Sequence, residues 1–78
     1  MKDVFIHSEF IKADSFLKLC GEVGSGGQAK MLIADGLVKI NGEVCLMRGK
    51  KLFDGDTVDI YGAQYRVRRI NEDNESPV

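Results

Sequence analysis

An α+β domain, with two helices packed on a small, mainly antiparallel sheet of about four to five strands, is the architecture this chain encodes. Three features carry that expectation. The stretch 25–36 reads as a capped helix with a glycine stop. Asn41-Gly42 stands between alternating apolar residues as a hairpin turn. Beyond it the chain breaks into short alternating runs punctuated by glycine and aspartate, the pattern of strands that are half buried.

The elements follow in order. Val4-Phe5-Ile6 is short and apolar and predicts a first strand running on toward Phe10-Ile11. Phe16, Leu17 and the Leu19-Cys20 pair recur at helical spacing and predict a helix over 13–20, with Gly21 as its stop. Asp14 falls in the first turn of that helix, where a carboxylate favours the positive end of the dipole, and Lys18 follows at i+4 as its ion-pair partner. Ser25 opens the second helix: its hydroxyl can accept from the Gln28 backbone N–H while the Gln28 side chain reaches back. Ala29, Leu32 and Ile33 give that helix a buried stripe, and Gly36 supplies the left-handed residue that ends it.

Strands come next. Val38 and Ile40 alternate with Lys39, and Val44 with Leu46 resumes the alternation after the turn. Arg48-Gly49-Lys50-Lys51 is a basic loop, and Leu52-Phe53 leads into a turn at Asp54-Gly55-Asp56. Val58-Asp59-Ile60-Tyr61 and Tyr65-Arg66-Val67-Arg68, separated by Gly62, predict two further strands. The polar stretch after Ile70, with Glu72, Asp73, Glu75 and Pro77, predicts a disordered acidic tail, dividing the chain into a domain over 1–70 and a tail over 71–78. Such a tail is expected to compete with a polyanion for the basic residues.

A length of 78 residues leaves room for one small core and one domain. With 44% hydrophobic and 29% charged residues, the composition excludes a wholly disordered chain. No apolar run approaches the roughly 20 residues of a membrane span, and no signal-type block follows Met1-Lys2-Asp3. The expectation is a soluble, cytoplasmic protein with no membrane partner. Cys20 and Cys45 lack a CxxC spacing and His7 is the sole histidine, whereas a structural zinc site needs about four ligands. No metal and no cofactor are expected, and both thiols are read as reduced and part-buried. No serine or cysteine stands in a histidine-bearing motif, and Asp54 and Asp56 are turn residues rather than a catalytic pair, so the chain is read as non-enzymatic, without a small-molecule substrate.

The net charge of −1 conceals an asymmetry. Residues 12–51 hold seven bases (Lys12, Lys18, Lys30, Lys39, Arg48, Lys50, Lys51) against four acids, while the last eight residues hold three acids and no base. Lysine and arginine neutralise phosphates and release counterions. Exposed N–H groups at Gly26 and Gly27 can receive a phosphate at a helix start, and Gln28 and Asn41 can hydrogen-bond sugar or base edges. Tyr61 and Tyr65 could stack on bases, although a strand tyrosine more often lies half-buried in a core.

From Ile11-Lys12-Ala13-Asp14-Ser15-Phe16-Leu17-Lys18, through Ser25-Gly26-Gly27-Gln28-Ala29-Lys30 and Gly36-Leu37-Val38-Lys39-Ile40-Asn41-Gly42, to Gly55-Asp56-Thr57-Val58, order and spacing resemble the RNA-binding domain of small-subunit ribosomal protein S-four, the alpha-L module. The resemblance covers residues 11–60. The Gly-Gly-Gln-Ala-Lys run and Arg48-Gly49-Lys50-Lys51-Leu52 are most similar to its stand-alone single-domain branch, the bacterial YaaA/YbcJ-like proteins. The resemblance implies an alpha-L fold and binding of structured RNA, ribosomal RNA or an assembling ribosomal particle, across the two helix starts and the adjoining hairpin and loop. It carries onto Lys12, Ser25, Gln28, Lys30, Lys39, Asn41, Arg48, Lys50 and Lys51. Where many members have an arginine after the capping serine, this chain has Gly26 and Gly27, which remove a long cation but let a backbone approach closely. The rival expectation is a protein-interaction module pairing through residues 65–69 as an exposed strand edge.

Overall fold

The structure, a computed structural model, describes residues 1–70; the acidic stretch 71–78, read above as a tail, lies outside the described residues. The order is β1 (Lys2–Ile6), β2 (Ile11–Lys12), α1 (Ala13–Leu19), α2 (Gly26–Ala34), β3 (Val38–Ile40), β4 (Glu43–Val44), β5 (Lys51–Leu52), β6 (Thr57–Ile60) and β7 (Ala63–Arg69). Five strands form one sheet in the order β1-β7-β6-β3-β4, and β2 and β5 form a separate two-stranded ribbon. The pairings β7-β6, β6-β3 and β3-β4 are antiparallel, while β1 joins β7 in parallel with Val4 opposite Val67.

Both helices lie on one face of the sheet. Phe16 and Leu17 of α1 and Ala29 and Ile33 of α2 share a core with Val38, Ile40, Val58, Ile60, Tyr65 and Val67, and Leu52 of the ribbon closes it from the side. Strand side chains alternate faces, so Lys39, Asp59, Gln64 and Arg66 stand on the opposite, helix-free face. On that face Asp3 pairs with Arg66 (Nε–Oδ1 3.2 Å) and more loosely with Arg68 (3.9 Å). The core contains no buried polar or charged side chain among the described residues.

Three sequence expectations need correction. The first concerns β4, where Val44 and Leu46 were expected to resume the inward alternation. They are 52% and 65% exposed, and Cys45 between them is buried at 6%. The cause is the turn itself. Asn41 and Gly42 have φ of 52° and 87°, the two left-handed residues of a type I′ hairpin, and a two-residue loop leaves only one register. Ile40 then faces Glu43, outward Lys39 faces Val44, and the Cys45 N–H reaches the carbonyl of buried Val38 at 2.9 Å.

The second concerns residues 65–69 as an exposed edge for a partner strand. β7 lies between β1 and β6 and is hydrogen-bonded on both sides, so it offers no free edge; the edges of the sheet are β1 and β4. The first strand, instead of continuing to Phe10-Ile11, ends at Ile6, and Ile11 starts the ribbon with β5.

Candidate nucleic-acid interface

The start of α1 is built by tertiary contacts. Its N-cap, Lys12, makes no side-chain capping bond. Instead the first two helical N–H groups donate to the basic loop: Ala13 N to the Lys50 carbonyl (2.9 Å) and Asp14 N to the Arg48 carbonyl (3.0 Å). Both are donors that a helix leaves without an internal partner. Alongside, Lys12 of β2 stands directly opposite Lys51 of β5. The loop carbonyls face the helix and the loop side chains face solvent, which gathers Lys12, Arg48, Lys50 and Lys51 around one helix start. None of the four forms an ion pair among the described residues. The Asp14 carboxylate accepts from the Ser15 N–H at 2.7 Å, and the Asp14–Lys18 ion pair expected from their spacing is not formed. Lys51 Nζ lies 4.7 Å from the centroid of the Phe10 ring, a cation–π contact worth about 0.5–1 kcal/mol at an exposed site.

The start of α2 is built locally. Ser25 Oγ accepts from the Gln28 N–H at 3.2 Å, and Gln28 Oε1 accepts from the Gly24 N–H at 2.7 Å. The capping pair expected from sequence is therefore present, with the returning side chain reaching one residue before the cap. Gly26 and Gly27 occupy the first two helical positions and are exposed, and their N–H groups make no hydrogen bond among the described residues. Lys30 is exposed on the same helix.

Other candidates are placed differently. Lys39 faces away from both helices, across from Asp59 on the open sheet face, because its neighbours Val38 and Ile40 point into the core. It therefore does not join Gln28 and Lys30. Asn41 has both ends of its amide engaged within the fold: Nδ2 donates to Asp56 Oδ1 (3.1 Å) and Oδ1 accepts from the Thr57 N–H (2.9 Å), which ties the hairpin to the start of β6. Lys18 is exposed near the end of α1. No hydrogen bond or ion pair among the described residues joins the α1 start to the α2 start.

Tyr65 is a core residue. It is buried, packs edge-on against Phe16 with ring centroids 6.3 Å apart, and its hydroxyl donates to the Glu22 carboxylate. That bond, reinforced by burial and the adjacent negative charge, pushes the phenol up to about 12. Burial likewise raises the Cys20 thiol; Cys20 is half-buried, Cys45 is buried, and both are free. No group of three or more His, Cys, Asp or Glu side chains suited to a metal occurs among the described residues, and no helix among them is long and apolar enough to cross a membrane. Sequence reasoning missed the aromatic pair Phe10–Phe53, whose ring centroids lie 6.0 Å apart beside Lys51. No periodic signal marks it, since the two rings meet only through the β2–β5 pairing.

The chain has known counterparts in sequence and in fold. A family described as S4 domain matches residues 4–68. A Bacillus subtilis (strain 168) protein named "Probable ribosome maturation protein RlbA" is 41% identical over 59 residues, covering 76% of this chain and 83% of the relative. The solution structure of YbcJ from E. coli, described as revealing an alfaL motif involved in RNA-binding, superposes with a TM-score of 0.67 at 33% identity over 87% of each chain. The 30S ribosomal protein S4e from Thermoplasma acidophilum superposes with a TM-score of 0.58 over 76% of this chain; the chain spans 31% of that protein, and at 24% identity the likeness is one of fold.

Proposed function

This chain belongs to the S4 domain family, and from that premise we propose that it is a non-catalytic RNA-binding protein that recognises structured RNA, namely ribosomal RNA or an assembling ribosomal particle. The names of its relatives support the reading: one is named a probable ribosome maturation protein and another is described as having a motif involved in RNA-binding. A single observation carries it on this chain's own residues. Lys12 and the Arg48, Lys50 and Lys51 loop come from two segments distant in sequence and meet at the α1 start with no carboxylate pairing them among the described residues. Cations held together by the fold and left unneutralised suit a polyanion.

Ser25, Gly26, Gly27, Gln28 and Lys30 form a second, weaker element. Free N–H groups at a capped helix start can meet a phosphate, with the Gln28 amide NH₂ beside them. Recognition is mainly of folded shape and backbone, as expected for structured RNA. Lys39 and Asn41 contribute little, the first because it faces the other way and the second because its side chain is engaged internally.

The test is the salt dependence of binding to purified ribosomal RNA. With about four to six phosphate contacts, log affinity falls against log salt with a slope of roughly −3 to −5. A slope near zero overturns the reading and favours a protein partner.

A further inference from the structure

The Phe10–Phe53 pair lies beside Lys51 of the cationic cluster, and we infer that Phe53 is a stacking platform for an unpaired base of the bound RNA. The inference rests on the RNA-binding reading and deepens it, since it names the kind of RNA the site selects: a stem interrupted or closed by at least one unstacked nucleotide. One exposed phenylalanine is ordinary on a protein surface. This one differs in being fixed, partnered and set beside a lysine.

It is fixed because the backbone at both rings is held. Leu52, just before Phe53, is buried and pairs with Ile11, just after Phe10. The Phe53 N–H donates to Asp56 Oδ2 at 2.8 Å, the Asp56 N–H returns to the Phe53 carbonyl at 3.0 Å, and the Ser8 hydroxyl donates to the Phe10 carbonyl at 2.7 Å. The rings meet at 50°, and Lys51 Nζ covers one face of Phe10. Phe10 is thereby occupied, while Phe53 remains 44% exposed. A ring already held loses little freedom on binding, and every base offers a π-face to it.

The surrounding charge suits a nucleotide. Lys51 immediately precedes Leu52-Phe53 and faces Lys12 across the ribbon, so a phosphate backbone neutralised there leaves a base within reach of the ring. The nearby carboxylates have partners within the fold: Asp54 accepts from the Arg69 N–H and lies 3.6 Å from Arg68 Nε, and Asp56 accepts from Asn41 and from the Phe53 N–H. The other exposed aromatic near a helix start, Tyr61, fails on this point. Its cleft of about 480 Å³ beside Val23, Met31 and Leu32 is also lined by Asp35, which no cation pairs among the described residues and which repels a polyanion.

The experiment compares two probes on the full chain: an RNA stem closed by an unpaired loop that carries a fluorescent adenine analogue, and the same stem as a blunt duplex. Phe53→Ala is expected to weaken loop binding by about 5- to 100-fold and to abolish quenching of the analogue, while leaving duplex affinity and the salt slope unchanged. Phe53→Trp should keep the quenching, and Phe53→Leu, which preserves the apolar contact with Phe10, should lose it. If the alanine variant does not fold, the Trp and Leu variants decide the matter. Loop binding equal in wild type and Phe53→Leu, with quenching retained, overturns the platform while leaving RNA binding in place. Failure of the wild-type chain to hold either probe overturns the RNA reading itself.

Discussion

The two helices of this domain begin in opposite ways. α2 closes its own first turn with Ser25 and Gln28, three residues apart. α1 has no side-chain cap and relies on the Arg48 and Lys50 carbonyls, more than thirty residues away in sequence. A self-capped start leaves the N–H groups of Gly26 and Gly27 facing outward, so what it displays is backbone. A start capped from outside has its first donors occupied, and what it displays is the side chains of the segment that caps it, here cations. The fold thus carries two chemically different ends, and only the second concentrates charge.

The largest effect should come from reversing that charge. Arg48→Glu, Lys50→Glu and Lys51→Glu together should lower the salt slope of RNA binding by about 2 to 3 and remove most retention at low salt. Lys30→Glu at the α2 start should lower the slope by about 1 or less. The triple variant should retain its helix content by circular dichroism, because α1 is held by loop carbonyls and not by the side chains being changed. Equal losses from the triple and from Lys30→Glu would erase the distinction between the two starts, and unchanged binding in the triple would remove the loop from the site.

An intermediate effect separates how the two starts are anchored. The segment leading into α2 is tied to β7 through Glu22 and the Tyr65 hydroxyl, whereas the cap of the α1 start is backbone alone. The folded state holds the Tyr65 proton up to about 12, against an ordinary value of 10.0, first through the Glu22 bond and then through burial. The unfolded chain therefore releases this proton at lower pH than the folded one. The stability contributed is complete below pH 10 and is lost as pH rises toward about 12. Urea midpoints measured from pH 8 upward should fall across that alkaline window in the wild type, and Glu22→Gln should flatten the fall. An equally steep fall in Glu22→Gln would show that this anchor does not govern the alkaline limb.

The same contrast explains what could be read from the sequence. The α2 cap, the stop at Gly36 and the Asn41-Gly42 turn were legible because each is decided by residues within a few positions of one another. The inward parity of Cys45 was also legible in principle: a two-residue loop after Ile40 forces Val44 outward, and the apolar character of Val44 and Leu46 masked that arithmetic. The parallel union of β1 with β7 was not legible, because β1 is short and its partner lies some sixty residues on. That pairing is what makes β7 an interior strand. The site divides along the same line. The α1 cations were identified one by one as bases, but their assembly, and the Phe10–Phe53 pair among them, depends on the β2–β5 ribbon, two residues long on each side.

The smallest effect tests the α2 start. Gly26 and Gly27 have ordinary helical backbone, and an added Cβ at Gly26 would meet nothing within 4 Å, while one at Gly27 would meet only Ser25 Oγ at 3.9 Å. Nothing among the described residues therefore requires glycine at either position, and the fold bears its entropic cost for no gain within them. Gly26→Ala should raise stability by up to about 0.5–1 kcal/mol, visible as a higher melting temperature. If a phosphate packs against the bare backbone, the same methyl group stands in its way, and RNA affinity should fall while stability rises. Opposite signs on two measurements from one methyl are hard to obtain from a helix entry that is only structural. Affinity unchanged in a more stable protein would reduce the glycine pair to helix entry and leave the α1 start as the sole contact with RNA.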